Sequence, residues 1–150
     1  MNKLLLAVDG SESSKKAVER TVEFTKALDL EVTIITVLDK STIELSELQA
    51  YRNEDSLEKL IKKNEKELEL RGQEILNEAA SFFDGNNIKT KNIIEYDNDP
   101  AEKICNYAEE NDFDIIVLAD KGLGAVKRFF LGSISDKVVR HANTSVLVVK

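Results

Sequence analysis

A chain of 150 residues, 42% apolar and 33% charged, has the length of one globular domain with a core of its own. Its net charge of −7 argues against general binding to nucleic acid or anionic membranes. No apolar run is long enough for a signal peptide or a membrane span, which points to the cytoplasm, and one cysteine, Cys105, excludes an internal disulfide framework.

Lys3 to Val8 is a short apolar run closed by Asp9-Gly10 and reads as a buried strand. Ser11 can cap the helix that follows, with Glu12 in its first turn, and Ala17, Thr21, Phe24 and Leu28 give it an inward stripe. Glu31 to Val37, rich in β-branched residues, is the second strand. Leu38 to Asp55 reads as a loop with a helical piece around Ile43 to Tyr51.

A long helix follows from about Ser56 to Phe83, with Leu57, Leu60, Ile61, Leu68, Leu76, Ala79, Ala80 and Phe83 as its buried stripe. Asp55–Lys59, Glu58–Lys62 and Glu67–Arg71 are spaced for i,i+4 pairs on its wet face. Gly72 inside it suggests a close backbone contact, since glycine costs a helix about 1 kcal/mol against alanine. After a turn at Asp84 to Asn87, Ile88 to Tyr96 makes the third strand. Asp99-Pro100-Ala101-Glu102 is a helix start, with Asp99 as N-cap, Pro100 at the first position and Glu102 reaching back. That helix runs to about Asn111 and carries Cys105 on an apolar stripe with Ala101, Ile104 and Ala108, the place of a small core residue.

Phe113 to Leu118 is the fourth strand. It runs into a loop holding Gly122 and Gly124, which closes at Gly132-Ser133, where a last helix begins and continues to about Ala142. Ser145 to Val149 is the fifth strand, and His141, near the end of the helix before it, suits the helix dipole and no catalytic role. From Ala119 to Arg140 five basic residues face two acids, so this segment is +3 and the remainder −10. Such a patch fits a small polyanion better than a long one.

The glycine loop admits two readings. Unpaired N–H groups at a helix start, approached through glycines, suit a phosphate. Equally, Ser133 with Asp136 is a Ser-x-x-Asp capping box that needs no ligand. Neither familiar phosphate loop is present, because Gly132 is followed directly by serine and Gly122-x-Gly124 has no third glycine.

The order β-α-β-α-β-α-β-α-β, with apolar strands that lack strict alternation, means an α/β fold: a five-stranded parallel sheet with helices on both faces. Ligands of such sheets sit at the carboxyl ends of the strands, where strand order reverses. Asp9 and Ala119 stand at those ends. Asp9 can serve a ribose, a base or a phosphate-bound metal, or it can cap the turn at Gly10.

Leu-Ala-Val-Asp-Gly-Ser at 6–11, Asp-Pro-Ala-Glu-Lys-Ile at 99–104, Asp-Ile-Ile-Val-Leu-Ala-Asp-Lys-Gly at 114–122, Leu-Gly-Ser-Ile-Ser at 131–135 and Ser-Val-Leu-Val-Val at 145–149 resemble the universal stress protein family. The resemblance spans residues 1–150 as one domain. The family's ATP-binding branch resembles Gly-x2-Gly-x9-Gly-Ser/Thr, and Gly122 with Gly132-Ser133 fits that spacing, while Ala119 replaces the first glycine. An alanine held in the left-handed region costs about 1–2 kcal/mol.

The resemblance implies a Rossmann-like fold of the adenine nucleotide α-hydrolase type with strand order 3-2-1-4-5. It also implies ATP with Mg²⁺ as cofactor, a homodimer through the last strand, and a regulatory stress-response module recognised by another protein. Asp9 would face adenine or ribose, Ala7 and Val37 would wall the base, and Ala119 would border the ligand. Gly122, Gly132, Ser133, Ile134 and Ser135 would hold phosphates, with Lys121 beside them. No catalytic residue is expected, since the loop from 119 to 132 holds no Gln, His or Glu to position water. The rivals are a dimeric module that binds no nucleotide, and a nucleotidyl transferase or ATPase. The enzymes carry a His-x-Gly-His pair or a Walker lysine, and this chain, with one histidine, has neither.

Overall fold

The computed structural model describes residues 2–41, 53–122 and 131–150. The helical piece expected around 43–51 and the glycine at 124 lie outside them. Among the described residues five strands and four helices alternate: β1 Lys3–Ala7, α1 Glu12–Leu28, β2 Glu31–Leu38, α2 Glu54–Asp84, β3 Thr90–Tyr96, α3 Pro100–Glu110, β4 Ile115–Ala119, α4 Ser133–His141 and β5 Ser145–Val149. The strands form one sheet in the order β3-β2-β1-β4-β5, and every pairing is parallel.

Alternation along the strands sorts the core into two layers. Leu4 and Leu6 of β1, with Val32 and Ile34 of β2 and Val117 of β4, pack beneath α1 and α2. Leu5, Ile35, Ile116 and Leu118 point the other way, against Ala101, Ile104 and Ala108 of α3 and Val138 of α4. Both faces are covered, which is why the strand sequences are apolar throughout.

In two helices only part of the expected stripe is buried: Ala17 and Thr21 of α1 and Leu76, Ala79, Ala80 and Phe83 of α2. The buried side of α1 is Ser14, Ala17, Val18, Thr21, Val22 and Thr25, while Phe24 is 37% and Leu28 60% exposed. The stripe follows i, i+3, i+4 from Ser14, and that leaves Phe24 at its margin and Leu28 at the helix end. Thr21 and Thr25 are tolerated inside because each hydroxyl donates to the carbonyl four residues back, at 2.7 Å.

In α2 burial is confined to Gly72, Leu76, Ala79, Ala80 and Phe83, and Leu57, Leu60, Ile61 and Leu68 are half-buried. The cause is length. Thirty-one helical residues rise about 46 Å, whereas the eight residues of β2 span about 26 Å, so the first half of α2 overhangs the sheet. The expected pairs Asp55–Lys59, Glu58–Lys62 and Glu67–Arg71 are not among the ion pairs of the described residues. Lys15 of α1 and Glu78 of α2 instead join the two helices at 3.0 Å. Gly72 does mark a close approach, since a Cβ there would sit 2.7 Å from Leu38 Cδ1 and 3.2 Å from Ile94 Cδ1.

The caps follow residue chemistry with one exchange of partners. Ser11 caps α1 by accepting from Ser14 N–H at 3.1 Å, and Asp99 caps α3 by accepting from Glu102 N–H at 3.1 Å. The reach back to the Asp99 N–H is made by Asp97 Oδ1, at 2.8 Å, rather than by Glu102.

At the amino end of the sheet, Asp114 Oδ2 accepts from the N–H groups of Asn2 and Lys3 at 2.8 and 2.9 Å. These donors, Lys3 foremost, hold the carboxyl below its ordinary range. A carboxyl lowered by folding stabilises fully above its unfolded pKa, near about 4, and loses that contribution as pH falls through the folded value. Asp114→Asn is therefore expected to lower the thermal midpoint at pH 7, with the difference from the parent closing below about pH 4. Thermal melts across that range check it; a gap that persists in acid would contradict the linkage.

Candidate functional site

β1 lies between β2 and β4. The chain leaves β1 for β2 on one side and reaches β4 on the other only after β3, so strand order reverses beside the carboxyl end of β1. Asp9, two residues beyond β1, stands at that crevice. Its Oδ1 accepts from Ser11 N–H at 2.9 Å and its own N–H donates to Ser14 Oγ at 3.2 Å. The side chain therefore does brace the turn at Gly10, whose φ of 82° is the left-handed conformation glycine permits. The other oxygen, Oδ2, lies against Gly122, where any Cβ would collide with it.

Gly122 and Gly132 are not needed for positive φ; among the described glycines only Gly10 has it. They are needed for space. A Cβ on Gly132 would come within 3.2 Å of Lys121 Cα, 3.3 Å of the Asp120 carbonyl and 3.5 Å of Gly122 N. The segment leaving β4 and the one entering α4 thus lie main chain to main chain. The Asp120 carbonyl accepts from Gly132 N–H at 2.6 Å and from Ser135 Oγ–H at 2.6 Å. The Asp120 N–H donates to Val149 of β5 at 2.9 Å.

The start of α4 departs from the expected capping box. Gly132 is the N-cap and makes no side-chain cap, Ser133 is the first helical residue, and Asp136 pairs with Arg140 at 3.0 Å. Ser133 and Ile134 are exposed and Ser135 is buried. One turn on, Lys137 bonds Asp99 at the cap of α3. That contact holds the Asp99 carboxyl below its usual range and raises Lys137, tying α4 to α3. Cys105 is half-buried nearby, its thiol pushed up by burial and then by the Asp99 charge, consistent with a packed core residue. Lys121 lies 3.9 Å from its neighbour Asp120.

The fold brings the sequence-derived residues to one end of three adjacent strands. Ala7 ends β1 opposite Ile35, Val37 is the penultimate residue of β2 opposite Glu95, and Ala119 ends β4 opposite Val149. All three are half-buried. Ala119 is absent from the described residues with positive φ, so the alanine carries no left-handed strain. Sequence reasoning missed the Asp120 carbonyl and Ser14. A main-chain carbonyl leaves no mark on residue type, and Ser14 reads as an ordinary first-turn serine.

A family model described as universal stress protein family matches residues 1–150. Universal stress protein YxiE of Bacillus subtilis is 30% identical over 151 residues, covering 99% of each chain. Among solved structures, one described as hypothetical protein MJ0577 superposes with a TM-score of 0.76 at 26% identity, covering 99% of this chain and 95% of its own. The universal stress protein from Archaeoglobus fulgidus in complex with dAMP superposes at 0.67 with 18% identity, covering 100% and 98%, a likeness of fold.

Proposed function

The chain belongs to the universal stress protein family, and from that premise we propose that it binds an adenine nucleotide, ATP with Mg²⁺, at the carboxyl ends of β1, β2 and β4. The observation that carries this reading is the glycine cradle. Neither glycine has positive φ, yet a Cβ on Gly122 would strike Asp9 Oδ2 and one on Gly132 would crowd the main chain of residues 120–122, so bare main chain lies beside the Asp9 carboxylate at the crevice such folds use. A relative of the same fold forms a complex with dAMP.

The residues present fit the ligand. Asp9 would accept from ribose or adenine, and Ala7, Val37 and Ala119 would border the base. The N–H groups of Ser133 and Ile134, at the positive end of α4, would meet phosphate, with the Ser133 hydroxyl beside them and Gly122 and Gly132 giving the phosphates access. Mg²⁺ keeps phosphate and water ligands, so it would enter with the nucleotide and offset phosphate charge. The loop holds no residue suited to position an attacking water, and the module would act by presenting its nucleotide-loaded form to another protein.

A second copy of the chain is the partner that β5 fits. The outer edge strand β3 carries Lys91 and Glu95, charges that discourage pairing. At the other edge, β5 reads Ser-Val-Leu-Val-Val with no such guard. The rival, a dimeric module that binds no nucleotide, rests on Ala119, and the lack of positive φ there removes the strain that argues for it.

Equilibrium binding of labelled ATP, with mass spectrometry of copurifying small molecules, tests the reading. Saturable binding below millimolar ligand is expected; none at that concentration would favour the rival.

A further inference from the structure

We propose that Ser135 is a positioning residue: its hydroxyl clamps the two ends of the glycine loop together and does not hold phosphate. The inference rests on the reading of this loop as the nucleotide site. It separates two serines that the run Gly132-Ser133-Ile134-Ser135 presents as equivalent.

The geometry is specific. Ser135 is 3% exposed, and its one hydroxyl proton lies between the Asp120 carbonyl at 2.6 Å and the Gly132 carbonyl at 3.0 Å. A serine hydroxyl has a single proton to give, and the shorter contact takes it. Asp120 already receives Gly132 N–H and sends its own N–H to Val149. Its peptide is thus the junction of β4, β5 and α4, with Ser135 as the only side chain of the described residues bonded to its carbonyl. Releasing the hydroxyl to a ligand would leave that junction short of a donor inside the protein, a costly exchange. Ser133, exposed in the first turn, makes no such side-chain bond among the described residues. Ser135 therefore acts on the nucleotide through Gly132 and the start of α4, whose separation from Gly122 it fixes.

Amide hydrogen exchange by NMR on the nucleotide-free, full-length protein tests the clamp directly. Ser135→Ala is expected to speed exchange of the Gly132 amide about fivefold more than that of the central-strand amide of Leu5, whose acceleration reports only the loss of global stability. Ser135→Thr, which retains the hydroxyl, is expected to restore the parental Gly132 rate, and Ser133→Ala to leave it unchanged. Parental exchange at Gly132 in Ser135→Ala would overturn the proposal, as would equal acceleration at Gly132 and Leu5, which signals only global loss of stability. If the alanine variant does not fold, Ser135→Cys, close in size but a weaker donor, is read by the same two amides. Absence of ATP binding by the parent protein would remove the nucleotide reading while these exchange rates still decide for or against the clamp.

Discussion

If the proposed nucleotide site is correct, Gly122→Ala is expected to weaken ATP binding by about tenfold or more while the protein stays folded. The added methyl meets Asp9 Oδ2, the end of a short side chain whose other oxygen is held by Ser11 N–H. The carboxylate must swing off that bond or the loop must lift from it. Loss of one such bond is worth about 1 kcal/mol in stability, well within the total of about 5–15 kcal/mol for a domain. For binding the consequence is larger, because Asp9 and the loop define the two sides of the crevice and a misplacement costing about 1.4 kcal/mol is tenfold in affinity.

A double-mutant cycle separates the two effects. Asp9→Ala removes the oxygen the new methyl would strike, so the stability costs of Gly122→Ala and Asp9→Ala should be less than additive, as expected for residues in contact. Urea midpoints and ATP titrations on the four proteins check this. Strict additivity in stability would show that the carboxylate and Gly122 are not in contact in solution.

Phe83→Ala is expected to be the most damaging core truncation, at about 3–5 kcal/mol. Phe83 is fully buried beneath the sheet face that also takes Leu4, Leu6 and Ile34, and its carbonyl receives the N–H groups of Asn86 and Ile88 at 2.9 and 3.0 Å. Emptying the site removes packing where α2 turns toward β3 and leaves a cavity that a close-packed core cannot fully close. Phe24→Ala on α1 is the matched control, expected to cost clearly less, about 1–2 kcal/mol, because that ring lies at the margin of the buried stripe with 37% of its surface in solvent. Urea unfolding would show the contrast as a shift of midpoint with little change in slope. A similar loss for both variants would mean that α1 is rotated from the orientation described.

The contrast between these two phenylalanines shows where sequence reading stops. Both stand on helices with apolar neighbours, and spacing alone allows either to face the core. Which one does depends on the angle at which each helix lies on the sheet, set by α2, β1 and β4 together. The same holds for the serines of the glycine loop. Their order in the chain marks a helix start, but burial of one and exposure of the other depends on where β4 and β5 end.

By itself the sequence determined the parallel sheet, the succession of strands and helices, and the caps at Ser11 and Asp99. Those are written in local signals: apolar runs, β-branched residues, cap chemistry and glycines. The tertiary structure alone decided that Asp9 braces its turn and touches Gly122, and that the loop glycines serve close approach rather than positive φ. It also decided that Asp120 ties β4 to its neighbours, its carbonyl accepting from Gly132 and Ser135 at the start of α4 and its N–H donating to Val149 of β5. The contacts of Asp9 with Gly122 and of Asp120 with Gly132, Ser135 and Val149 join segments apart in the chain, several through main-chain atoms that every residue carries, so residue type gives no sign of them until the strands are side by side.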